Sequence, residues 1–137
     1  MLFRSLRFQP RGRVLGLADR EEGWTHQLAA VLGTGNQLVL PAGDAAEVWR
    51  RSVPEALRGR VTIDPQGLMA ESAAVLLDLP DADRWRDTLA RREGAIRHCL
   101  EPTPLYPIEW LVVERCLTIN TAATGGNTAL MGLSYDC

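Results

Sequence analysis

The 137 residues suit one domain and are too few for two well-filled cores. An apolar fraction of 46% and a charged fraction of 23% are those of ordinary globular chains, which argues against disorder and fibrous repeats. The formal net charge of −2 gives no reason to expect nucleic acid or an anionic membrane surface as a partner.

No apolar stretch approaches the roughly 20 residues needed to cross a bilayer. Met1 to Arg13 is arginine-rich and lacks the apolar centre of an export signal, so a cytoplasmic setting is expected. All 15 basic residues are arginine, which excludes a Schiff-base lysine and a phosphate-binding lysine loop. Cys99, Cys116 and Cys137 are an odd number without CxxC spacing and are expected as free thiols. With His26 and His98 they form no ligand-like spacing, so no metal is expected.

Val14 to Ala18 reads as a strand buried on both faces. Trp24, Leu28, Val31 and Leu32 share one side of a helix over Glu21 to Leu32, with Glu21 and Glu22 at its start and Gly33 closing it. Leu38 to Leu40 is a second strand, and Asp44 caps a helix through Arg51 ahead of Pro54. Val61 to Ile63 is a third strand, followed by a short helix over 67–72 and a buried strand over 73–77. Asp81 or Asp83 caps a helix carrying Trp85 and Leu89 that stops at Gly94.

Ala95 to Leu100 reads as a strand, Glu101 to Pro104 as a loop, and Pro107 as the first-turn residue of a helix with Ile108, Leu111 and Val112 inward. Cys116 to Thr121 alternates like a strand, and Ala122 to Cys137 is a tail rich in small residues. Trp49, Trp85 and Trp110 are expected to pack helices on the sheet, and Arg50-Arg51 and Arg91-Arg92 to be solvated helix ends. The sum is an α/β, three-layer, Rossmann-like domain. Its sheet is mostly parallel with helices on both faces, and a C-terminal strand and tail follow. Residues 1–115 form its body and 116–137 the strand and docking tail.

A nucleotide site needs a glycine-rich turn from strand into helix. Gly33-Thr34-Gly35 runs from helix into strand, and Gly125-Gly126 has too little chain behind it for a full helix. His98 and Cys99 are neighbours, so on a strand they point to opposite faces and form no dyad. No catalytic, cofactor-binding or metal-binding residue is assigned.

Residues 29–42, from Ala29 through Gly33-Thr34-Gly35-Asn36 to Leu40-Pro41-Ala42, resemble the helix-turn-strand of aldehyde dehydrogenases. The Lys-Pro of that family, whose lysine holds the cofactor's ribose, is Leu40-Pro41 here. Residues 114–131, Glu114-Arg115-Cys116-Leu117-Thr118-Ile119-Asn120-Thr121-Ala122-Ala123-Thr124-Gly125-Gly126-Asn127-Thr128-Ala129-Leu130-Met131, resemble the C-terminal motif of bifunctional proline utilization A flavoenzymes.

The resemblance implies a noncatalytic, aldehyde-dehydrogenase-like accessory domain, with FAD and NAD bound elsewhere in the parent. It implies packing on a semialdehyde dehydrogenase module that helps close the channel between active sites. Asn120, Thr121, Gly125, Gly126, Asn127, Leu130 and Met131 are then the expected docking residues. The alternatives are a small nicotinamide-binding module of the aldehyde dehydrogenase superfamily and an independent hydrolase or transferase.

Overall fold

A computed structural model describes residues 2–94, 97–120 and 134–136, and the side chains of 5–68, 70–94 and 97–116. Two sheets are present. The first is a five-stranded parallel sheet of β2 (Arg13–Ala18), β3 (Gln37–Pro41), β4 (Val61–Asp64), β5 (Ala74–Asp78) and β6 (His98–Leu100), in the order β4-β3-β2-β5-β6.

Side-chain alternation divides the central strands between two cores. Val14, Leu38, Leu40, Ala74 and Leu76 point to one face, where α1 (Glu21–Gly33) and α2 (Asp44–Ser52) cover them. Leu15, Leu17, Val39, Val75 and Leu77 point to the other, beneath α4 (Ala82–Ala90). Burial on both faces is why these strands are nearly continuous apolar runs. The chain returns to the first face after β6, where Tyr106 and Leu111 join its core.

The second sheet is antiparallel. β1 (Leu2–Pro10) pairs with β7 (Val112–Asn120) in unbroken register from Leu2 opposite Asn120 to Pro10 opposite Val112. β8 (Ser134–Asp136) lies on the far side of β7. Pro10 sits at the strand end, where its missing N–H costs the ladder least.

Several expectations need correction. The segment Met1–Arg13, given no element above, contains β1, whose Leu6 and Phe8 alternate with Ser5, Arg7 and Gln9. The strand expected from Cys116 begins at Val112, because β1 supplies a partner over the whole of 112–120. The helix expected from Pro107 is one 3-10 turn, Ile108–Leu111, cut short by that strand. The helix over 67–72 is likewise a 3-10 turn, Gly67–Met69. A one-turn helix α3 (Glu55–Arg58) follows Pro54, and the expected tail contains β8.

Trp49 is buried as expected, but Trp110 is 44% exposed, because the 3-10 turn directs Leu111 inward in its place. Arg50 and Arg92 are half-buried and donate to the Val61 and Leu68 carbonyls, so they are not simple solvated ends.

Candidate functional site

In an open parallel sheet the natural ligand crevice lies beyond the carboxyl ends of the strands, where the strand order reverses. That point falls between β2 and β5, since the chain leaves β2 toward β3 and returns to β5 by a crossover from β4.

Gln27 and Tyr106 lie beneath it, in the core on the α1 side of the sheet. Gln27 is three residues after Trp24 and four before Val31, on the stripe of α1 that faces the sheet, and it is fully buried. Its Nε2 lies 2.9 Å from the Leu17 carbonyl oxygen, 3.3 Å from that of Leu76 and 3.1 Å from the Tyr106 hydroxyl. Two carbonyl acceptors require the nitrogen side of the amide here. The Tyr106 hydroxyl reaches the Leu77 carbonyl at 3.4 Å. Gln27 Oε1 is buried without a partner among the described residues and faces Gly16, where a β-carbon would come within 2.5 Å of it. Glycine at 16 thus makes room for the amide.

Burial pushes the Tyr106 hydroxyl up to about 12. The Gln27 bond lowers it, and the charges of Asp78 and Glu101 raise it further. Tyr106 is therefore a neutral hydrogen-bonding post at neutral pH, not an acid or base.

The adjoining start of α1 is negatively charged. Glu21 and Glu22 lie in its first turn, and Asp78 at the end of β5 approaches Gly23 so closely that a β-carbon there would lie 2.9 Å from Asp78 Oδ2. Helix N-termini attract phosphate through free N–H groups and the helix dipole. Three carboxylates oppose a phosphate at this one. The crevice beyond the strand ends is open there, shallow and apolar at about 260 Å³, lined at the ends of β2, β3 and β5 by Leu17, Ala18, Pro41 and Leu79 and walled by Trp24 and Trp85, with no arginine among the described lining residues.

The remaining expected chemistry also finds places. His98 packs against Trp110 with ring centroids 4.5 Å apart and the rings tilted by 42°, while Cys99 packs toward the opposite core, so the two diverge as adjacent strand residues should. Burial pushes the Cys99 thiol up, with Arg86 pulling it back, the reverse of an activated nucleophile. Cys99 is a free thiol, but Cys116 is disulfide-bonded, which corrects its expected free state. No cluster of His, Cys, Asp and Glu suited to a metal occurs among the described residues.

Among the expected docking residues, Asn120 ends β7 opposite Leu2. Thr121, Gly125, Gly126, Asn127, Leu130 and Met131 lie outside the described residues. What the sequence reading missed was Gln27, although a glutamine inside the apolar stripe of α1 was a visible irregularity. It also missed the ribbon of β1 and β7, which exposes Phe8 by 64% and Leu6 by 53% on one face. No helix among the described residues is long and apolar enough to cross a membrane.

No protein-family profile matches the chain. Curated relatives do. The chain is 36% identical over 129 residues to the Bifunctional protein PutA of Salmonella typhimurium, covering 89% of this chain and 10% of that protein. It is 33% identical over 129 residues to the protein of that name from Escherichia coli, with 89% and 10% covered, and 31% identical over 134 residues to that of Rhizobium meliloti, with 90% and 11%. The chain spans about a tenth of the length of these relatives, and nearly all of it is similar to one segment of bifunctional PutA proteins.

Proposed function

We propose that this chain is a noncatalytic packing domain of a bifunctional proline-catabolic enzyme that oxidises proline to glutamate with FAD and NAD held in other modules. It docks on the semialdehyde dehydrogenase module, in the same or a partner chain, and helps close the substrate channel. The observation that carries the noncatalytic reading is the trio of carboxylates, Glu21, Glu22 and Asp78, at the helix start where a phosphate would bind. A nicotinamide-binding module would need an anion-accepting turn there, and the neighbouring crevice beyond the strand ends is apolar with no arginine in its described lining.

Docking is supported by the β1–β7 ribbon. It leaves the parallel sheet at Pro10 and Val112, and β1 has no strand on its outer side among the described residues. An unpaired strand edge beside exposed Leu6 and Phe8 suits addition to another module's sheet, and residues 116–137 complete the docking arm. The proposal includes a cytoplasmic setting.

The test deletes Thr121 onward in the parent enzyme and assays the two activities separately and coupled. Proline dehydrogenase should persist while semialdehyde dehydrogenase activity and proline-to-glutamate flux fall. A folded truncated enzyme with all three at wild-type level overturns the proposal.

A further inference from the structure

At the opposite, amino-terminal edge of the sheet, Arg92, Arg97, Ser72, Glu71, Glu93 and Leu89 line an open cavity of about 300 Å³. Arg92 follows the end of α4 and donates through Nη1 to the Leu68 carbonyl, while Arg97, just ahead of β6, donates through Nη1 to Ser72 Oγ and, at 3.3 Å, to the Ala70 carbonyl. Both guanidiniums are half-buried, and neither is ion-paired among the described residues. Arg92 Nε is moreover buried with no acceptor among the described residues, an uncommon state for a charged donor.

Among the described residues the two exposed glutamates on the same wall, Glu71 and Glu93, are also without ion-pair partners, although five ion pairs engage arginines elsewhere. The cavity thus presents charge of both signs with no direct ion pair between them among the described residues, and Ala70 and Leu89 supply apolar lining.

We infer that this cavity binds a small zwitterionic amino acid, its carboxylate held by Arg92 and Arg97 and its ammonium by Glu71 or Glu93. A guanidinium matches a carboxylate through paired N–H donors, and an ammonium brings the donors that carboxylates accept. A simple anion satisfies the arginines but meets repulsion from both glutamates, and a simple cation the reverse. Only a ligand bearing both charges complements the whole wall.

The test titrates the full chain calorimetrically with L-alanine, acetate and methylammonium at matched ionic strength. L-alanine should bind saturably and at least tenfold more tightly than either half-probe. Arg97→Gln should weaken it tenfold or more. Because Arg97 also braces Ala70 and Ser72, the doubly substituted Glu71→Gln/Glu93→Gln protein, altered only at exposed positions, is measured in parallel and should lose the preference for L-alanine over acetate. Absence of saturable L-alanine binding, equal affinity for acetate, or an unchanged preference in the glutamine protein overturns the inference.

Discussion

Asp78 and Gly23 meet at the start of α1, where the carboxylate leaves no room for a β-carbon: one built on Gly23 falls 2.9 Å from Asp78 Oδ2 and 2.7 Å from Ala18 Cβ. The close approach brings the end of β5 against the helix turn that a phosphate would otherwise seek. Gly23→Ala should therefore destabilise the fold by about 1–3 kcal/mol through overpacking, read as a lower urea midpoint with unchanged slope. In the same chain, calorimetric titration with NAD should give no saturable binding in the low micromolar range. A micromolar dissociation constant, about −8 kcal/mol, would reinstate the nucleotide-binding alternative.

Tyr106 gives a pH-dependent test of the buried Gln27–Tyr106 pair. Its hydroxyl is raised from 10 to about 12 in the folded chain. Between those values the unfolded chain has lost the proton that the folded chain keeps, so unfolding becomes easier as pH rises. The contribution is fully present below pH 10 and is lost as pH rises to 12, an effect of about 2 kcal/mol for two units with some allowance for relaxation. Denaturant melts at pH 9, 10.5 and 12 should show this loss in the wild type and a shallower one in Tyr106→Phe. Equal slopes in both would mean that Tyr106 is not held neutral by burial.

Much of the parallel sheet was legible because its strands are buried on both faces. Val14–Ala18, Leu38–Leu40 and Ala74–Leu77 are apolar runs with turn residues beside them, and a local window detects such runs. The β1–β7 ribbon was not. Its pairing joins residues more than a hundred positions apart, and Arg4 and Arg7 hide the alternation that Leu6 and Phe8 carry. The buried Gln27–Tyr106 pair was half legible: Gln27 breaks the stripe of α1, but its partner Tyr106 arrives from a loop 79 residues later, a distance that no periodicity spans.

The cysteines differ enough to be separated chemically. Cys99 is a half-buried free thiol whose ionisation is opposed by burial, and Cys116 is disulfide-bonded. Under native, nonreducing conditions Cys99 should react slowly with a thiol reagent. Under denaturing, nonreducing conditions it should react fully while Cys116 labels only after reduction. Mass mapping of the labelled peptides distinguishes them, and labelling of Cys116 without reductant would restore the free thiol expected from the sequence.

The ribbon supplies the most direct test of docking. Leu6 and Phe8 are next-but-one neighbours on β1, so they share a face, and at 53% and 64% exposure they contribute little to this chain's own core. Replacing both with serine should change folding stability by no more than about 1 kcal/mol, since surface substitutions away from special features cost little. If the ribbon docks on the dehydrogenase module, however, those side chains are buried in the assembly. Losing two large apolar groups there should cost several kcal/mol of association, at about 1.5–3 kcal/mol for each fully buried side chain. In the parent enzyme, Leu6→Ser/Phe8→Ser should leave proline dehydrogenase activity intact and lower coupled proline-to-glutamate flux. Limited proteolysis should then cut this segment faster than in the wild type. Wild-type flux and unchanged proteolysis in a folded double variant would show that the exposed face of β1 is not the docking surface.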